Sequence, residues 1–302
     1  MLGKNITIIG GSGGMGQFFG RYFKRHGFNV TLLARRENKL KTAAENLGVN
    51  YELDLKKSVE NADIVIVSIP IKSTSELIQK IAPLMKNNSL LFDITSLKQE
   101  IYMILREIQK KYPINCLSIH PMFGPGIKTT KNYVILVLKI GGTEQYEEII
   151  DDLISLFRSD GFIITETTPD IHDSKIALTL GVPHMFNILF LNLLRRANDS
   201  LSELTRYTGT TFLLQKIFAE SIIQREMEMF GEIQIENDKF HKVIDLFEDL
   251  IKEYKFIIKN KDLIGFKKIF TEGLEYSKED NHFNDSYKYF YEFMKILKEK
   301  KE

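Results

Sequence analysis

A single cysteine, Cys116, stands in 302 residues, which excludes an intramolecular disulfide and any cysteine-built metal cluster. A reducing compartment and no bound metal are therefore expected. Charge of one sign is equally scarce: the formal net charge is +1, so neither nucleic acid nor an anionic membrane is called for as a partner. The densest basic run, Lys298 to Lys301, reads as a solvated helix end. No apolar stretch reaches the length of a bilayer span. The opening Met1 to Asn5 has neither the basic nor the apolar region of a signal peptide, so a cytoplasmic protein is expected. Internal repeats and low-complexity linkers are also missing.

What is present is enough apolar sequence for more than one interior: hydrophobic residues make up 43% of a length that usually splits into two domains. Up to residue 168, short runs rich in Ile and Val alternate with amphipathic stretches. The runs are Asn5-Ile9, Asn29-Leu33, a weaker Val49-Glu52, Ile64-Ile69, Ser89-Phe92, Cys116-Ile119, Tyr133-Leu138 and Phe162-Thr165. Helical stretches between them include Met15-His26, Ser73-Met85 and Leu97-Lys111. This is the pattern of βαβ units wound around a parallel sheet, a Rossmann domain over 1–168. From residue 169 the periodicity becomes helical, which predicts an all-α domain over 169–302. Its first segment, Ile171 to Asn198, is largely apolar and broken by Gly181 and Pro183, so it reads as a kinked helix. Further helices are expected at Leu201-Thr208, Thr211-Phe230, Asn237-Asn260, Asp262-Tyr276 and Ser286-Lys298. A mostly apolar helix is often the centre of a subunit interface, so a homodimer is expected.

After the first strand comes Gly10-Gly11-Ser12-Gly13-Gly14-Met15-Gly16, which satisfies G-x-G-x-x-G at Gly11, Gly13 and Gly16. Alone the pattern is weak. Here it follows a strand and opens a helix, the context in which the glycines allow a tight turn, close pyrophosphate approach and helix packing. The helix N-terminus adds amide donors and a positive dipole. At the end of the second strand, where NAD-binding proteins place an acid against the ribose hydroxyls, the chain has Leu33-Ala34-Arg35-Arg36. No carboxylate repels a 2'-phosphate, and Arg35 and Arg36 are able to pair with it, so NADP is expected over NAD. The plainer alternative is that both arginines are solvated and both cofactors bind. Ser68 and Pro70, in the loop that ends the next strong strand, are candidate neighbours of the cofactor.

Two further strand ends carry polar residues the sheet does not need: Asp93-Ile94-Thr95-Ser96-Leu97-Lys98 and His120-Pro121-Met122-Phe123-Gly124-Pro125. A His at the carboxyl end of a strand beside a nicotinamide is placed to take a hydroxyl proton, and Ser96 is placed to hydrogen-bond that His or the hydroxyl. Thr95 or Ser96 also reads as a helix N-cap.

These segments, followed by Ile171-His172-Asp173, resemble the prephenate dehydrogenase family along nearly the whole chain, with His120 to Pro125 the most specific piece. The resemblance implies a Rossmann domain followed by a helical dimerisation domain. It implies that His120 accepts the C4 hydroxyl proton of prephenate, oriented by Ser96, as hydride leaves and carbon dioxide is lost, giving the precursor of tyrosine. It also places His172 and His184 in the substrate pocket. The family's carboxylate-binding Arg falls at Ser221 in the run Phe218 to Arg225, so the substitutes considered are Arg225, Lys216, Arg206 and Lys98. Arogenate dehydrogenase is the nearest rival. More distant are the β-hydroxyacid dehydrogenases and deazaflavin-dependent reductases, which lack the His120 to Pro125 segment. From a different class comes a dinucleotide-binding sensor without catalysis.

Overall fold

The apolar runs become strands because their β-branched residues fit a pleated surface buried on both faces. A computed structural model describes residues 3–141, 144–225 and 227–299. The strands are β1 (Asn5–Ile9), β2 (Asn29–Leu33), β3 (Asn50–Glu52), β4 (Ile64–Val67), β5 (Leu90–Asp93), β6 (Asn115–Pro121), β7 (Val134–Lys139) and β8 (Ile163–Glu166). Among the described residues they form one sheet in the order β3-β2-β1-β4-β5-β6-β7-β8. The pairings from β3 to β6 are parallel, whereas β7 runs antiparallel to β6, so the sheet is mostly and not wholly parallel. The link from β6 to β7 carries no helix, and a strand that returns without a crossover helix pairs antiparallel.

Alternate residues of the central strands enter two separate cores, as the period of two requires. Ile64 and Ile66 of β4, Leu90 and Phe92 of β5, and Leu117 and Ile119 of β6 join one. It is covered by α1 (Gly14–Arg25), α2 (Glu37–Leu47) and α6 (Glu144–Ser159), with Phe18, Phe19, Tyr22 and Phe23 of α1 at helical spacing. Val65, Val67, Leu91 and Cys116 join the other, under α3 (Leu55–Glu60), α4 (Ile71–Ile81) and α5 (Gln99–Lys111). The same alternation puts Asp93, Ser118 and His120 on the face of Leu91 and Cys116, which is where the site forms.

The kinked segment is α7 (Pro169–Ile176), one π-helical turn at Ala177–Gly181, and α8 (Val182–Arg196). The missing side chain of Gly181 makes room for the Phe240 ring, which a Cβ there would approach to 2.5 Å. Then come α9 (Leu201–Arg206), α10 (Thr210–Ile223), α11 (Met227–Ile235), α12 (Asp238–Lys259), α13 (Leu263–Ser277) and α14 (Ser286–Glu299). The single helix expected over Thr211-Phe230 is therefore two.

The chain divides into two compact units, one of Met1–Ala177 with Gly231–Asn237, the other of Leu178–Phe230 with Asp238–Glu302. The first holds the sheet and takes back a short return segment from α11. The expectation that no apolar stretch reaches membrane length is corrected: Pro169–Arg196 contains an 18-residue window of mean hydropathy 1.6 and is long and apolar enough by length and composition. Within it Phe186, Leu189 and Leu193 share one exposed face of α8, the last being 67% exposed.

Candidate active site

β1 ends at Ile9, and Gly10 turns the chain with a φ of +83°, a conformation L side chains rarely adopt. A Cβ there would collide with the carbonyl oxygen of Ser68 at the end of β4. At Gly14 a Cβ would lie 2.7 Å from Pro125, so the turn also abuts the loop that follows His120. Gly13 is the N-cap of α1, which has no side-chain cap and no acidic residue in its first turn. Its orphan amides are thus left open, the condition for binding a phosphate. Gly11 and Gly16 also sit where a Cβ would strike neighbouring atoms, and Ser12 and Met15 complete the turn, with the Ser12 carbonyl held by Gln17 at 3.0 Å. β2 ends at Leu33 as expected; Ala34 is half-buried and Arg35 and Arg36 are exposed.

The neighbouring helix N-termini are closed by carboxylates. Pro70 is the N-cap of α4, and the Ile71 amide donates to Glu232 at 3.1 Å, a residue of the return segment. The α5 amides of Lys98 and Gln99 donate to the two oxygens of Asp173, at 2.9 and 3.0 Å. The expected cap from Thr95 or Ser96 is not made: the N-cap position is Lys98, and the acceptor comes from α7.

Beneath α5 lies a buried polar network. Asp93, fully buried, accepts from Lys98 Nζ at 2.7 Å, the Thr95 amide at 2.8 Å and the Ser118 hydroxyl at 2.5 Å, with Thr95 Oγ1 adding a fourth bond. Lys98 spends its other protons on the Ile119 carbonyl at 2.7 Å and on Thr95 Oγ1 at 3.3 Å. Burial pushes the ammonium below its ordinary value, against the pull of Asp93. Lys98 was expected among the partners of a substrate carboxylate. Its side chain is 0% exposed and all three donors are used within the protein, so that expectation is corrected.

His120, the penultimate residue of β6, is buried, with Nδ1 2.9 Å from His172 Nε2; His172 Nδ1 lies 2.7 Å from Asp173 Oδ1. Both nitrogens of His172 are therefore committed inside the protein, which corrects its expected place as a substrate ligand. Burial lowers the pKa of both rings, for His120 with help from His172 and Lys98, for His172 against the pull of Asp173. Ser96 is half-buried and its hydroxyl bonds to no described residue, so the expected bond to His120 is not formed. Sequence reasoning assigned no role to Asp173 or Glu232, although Asp173 directly follows His172.

In the second unit, His184 packs edge-on against Phe230 with ring centroids 4.6 Å apart. Its buried Nδ1 has no partner among the described residues, and burial lowers its pKa to about 4. Ser221 faces solvent and its hydroxyl turns back to the Phe218 carbonyl at 2.7 Å. With Glu220 and Arg225 it lines one open depression. Lys216 is half-buried, and Arg206 reaches Glu203 at 3.5 Å.

A doubly wound sheet with an open glycine turn at its first helix, joined to a helical unit, defines a dinucleotide-binding α/β protein. Residues 19–136 match the family described as prephenate dehydrogenase, nucleotide-binding domain, and residues 168–272 match prephenate dehydrogenase, dimerization domain. The chain belongs to the prephenate dehydrogenase family. It is 30% identical to a probable arogenate/prephenate dehydrogenase of Methanocaldococcus jannaschii, over 90% of this chain and 60% of the relative. To the T-protein of Haemophilus influenzae it is 25% identical, over 86% of this chain and 64% of the relative. The chain thus spans less than two thirds of the length of these relatives. The crystal structure of prephenate dehydrogenase from A. aeolicus, in complex with hydroxyphenyl propionate and NAD+, superposes with a TM-score of 0.72 at 17% identity, covering 93% of this chain and 99% of that one. Synechocystis arogenate dehydrogenase gives 0.67 at 16% identity, covering 91% and 99%. At these identities the likeness is one of fold.

Proposed function

We propose that the chain is an NADP-dependent dehydrogenase that oxidatively decarboxylates prephenate to 4-hydroxyphenylpyruvate in tyrosine biosynthesis. The observation that carries the reading is His120 at the carboxyl edge of the sheet, with Nδ1 engaged by His172 and Nε2 bonded to no described residue. The glycine turn fits a dinucleotide: side chains are excluded at Gly10 and Gly14, and the α1 amides stay uncapped while α4 and α5 are closed by Glu232 and Asp173. Gly11, Ser12, Gly13, Gly14, Met15 and Gly16 hold the pyrophosphate, Arg35 and Arg36 the 2'-phosphate, and Ser68 and Pro70 flank the nicotinamide end. When bound, the nicotinamide supplies a two-electron acceptor.

His120 Nε2 takes the C4 hydroxyl proton as the C4–H bond breaks with its electron pair. Ser96, with its hydroxyl uncommitted, orients the same oxygen. Loss of the ring carboxylate as carbon dioxide leaves a phenolate, to which His120 returns the proton. Aromatisation drives the step, so the residues need only align groups and shuttle one proton. Arg225 is the reading for the carboxylate partner, one helical turn beyond Ser221. His184 contributes its unpartnered nitrogen. The α8 stripe of Phe186, Leu189 and Leu193 packs against a second copy, giving a cytoplasmic homodimer.

Purified protein is tested with prephenate and with arogenate, each with NADP and with NAD, by nicotinamide absorbance. Reduction of NADP with prephenate is expected. Turnover of arogenate alone reassigns the substrate, and tight cofactor binding without any turnover makes the chain a dinucleotide sensor.

A further inference from the structure

We propose that Asp173 is a positioning residue which, through His172, fixes the tautomer of His120 and leaves its Nε2 as the proton acceptor. The proposal rests on the reading of His120 as the group that meets the substrate hydroxyl.

Asp173 accepts two backbone amides, from Lys98 at 2.9 Å and Gln99 at 3.0 Å, at the positive end of α5. Both carboxylate oxygens are held as acceptors by these amides, so toward His172 Oδ1 acts as an acceptor as well. His172 Nδ1, 2.7 Å from Oδ1, must then carry a hydrogen. Burial keeps the His172 ring neutral, and a neutral ring with a hydrogen on Nδ1 has a lone pair on Nε2. That lone pair faces His120 Nδ1 at 2.9 Å, which must donate to it. His120 is neutral for the same reason of burial, so its hydrogen is on Nδ1 and its lone pair on Nε2. Each link leaves the next ring one choice.

The geometry also explains why the polar cluster is divided in two. Lys98 contributes its amide to Asp173 and its ammonium to Asp93, so one residue ties the carboxylate that sets the relay to the carboxylate buried between β5 and β6. Asp93 takes the positive charge of Lys98, and Asp173 is left to meet a neutral ring. The residue is caught between two backbone amides and a ring nitrogen, which fixes its position from three directions.

The test uses the full chain with 15N-labelled histidine. In the absence of substrate, long-range 1H–15N correlations are expected to show His120 with its hydrogen on Nδ1, the form that free imidazole side chains in water disfavour. In Asp173→Asn the single amide oxygen cannot accept from both α5 amides and from His172, so the tautomer of His172 is released and His120 Nε2 becomes a donor. kcat is expected to fall about 10²- to 10⁴-fold, the range for losing a general base, with KM and dinucleotide affinity changed by less than about threefold. His172→Ala keeps the α5 cap and removes the relay; it is expected to lose kcat similarly and to regain activity with added imidazole. A hydrogen on Nε2 of His120 in the native protein would overturn the proposal, as would full kcat in His172→Ala. Should the native protein turn over neither prephenate nor arogenate, the functional reading falls, while the tautomer measurement still decides the relay.

Discussion

Replacing Lys98 by Met keeps an unbranched chain of similar length and deletes the charge, which separates a structural lysine from a substrate ligand. Asp93 is left fully buried without its cation, and the Ile119 carbonyl loses its donor. Breaking a buried ion pair by removing one partner costs about 3–5 kcal/mol. Three donor groups remain on Asp93, the Thr95 amide and the Thr95 and Ser118 hydroxyls, so the loss should fall near the lower end, about 3 kcal/mol. For a unit of this size that corresponds to a fall in Tm of about 6–12 °C. Thermal melts followed by far-UV circular dichroism measure it. The double variant Lys98→Met with Asp93→Asn should recover more than about half the loss, because the stranded charge is gone. An unchanged melt together with a KM for prephenate raised about tenfold or more would refute the structural role and return Lys98 to the substrate, since tenfold is about 1.4 kcal/mol of lost binding.

Gly10→Ala strains the +83° turn and strikes the Ser68 carbonyl; NADP affinity should drop about 5- to 150-fold by fluorescence titration, the equivalent of about 1–3 kcal/mol of strain, and unaltered binding would show that the turn is not the cradle. Arg35→Ser with Arg36→Ser should weaken NADP by at least about 10- to 150-fold and leave NAD unaffected, since even one charge-assisted bond to the phosphate contributes about 1.5–3 kcal/mol; equal losses for both cofactors would place the arginines elsewhere. His120, His172 and His184 all have lowered pKa values in the folded chain, so the unfolded state binds their protons first. Their contribution to stability is whole above the ordinary histidine value of about 6.5 and is lost as pH falls, for His184 through its folded value of about 4. Urea unfolding from pH 7.5 to 4.5 should show declining stability, and a flat profile would contradict the burial of these rings.

The order of elements and the glycine turn were legible because their signals are local: a strand reads in four or five residues, and the turn follows it directly. The place of His120 was legible for the same reason, as a polar residue near the carboxyl end of an apolar strand. Lys98 was read as a substrate partner because a lysine in sequence looks like a free cation; its burial depends on Asp93 and on the Ile119 carbonyl of a strand formed later in the chain. The cap of α5 was assigned to Thr95 or Ser96, the nearest hydroxyls, while the acceptor lies 75 residues away and no periodicity points to it. The break between α10 and α11 was not read from the sequence, since Phe218 to Arg225 carries neither Gly nor Pro. The antiparallel β7 was hidden because strand direction is decided by the connection and not by the residues of the strand.

The two carboxylates that close α4 and α5 also set an order of events during synthesis. Ile71 waits for a partner 161 residues downstream and Lys98 for one 75 residues downstream. At about 5–20 residues per second, the ribosome delivers the second after about 4–15 s and the first after about 8–30 s. A nascent sheet that already holds every strand therefore still exposes bare helix ends, and His120 has no ring to hold it. Cutting the gene at the apparent domain boundary would make that interim state permanent, so a piece ending near residue 168 is a folding intermediate and not a smaller enzyme.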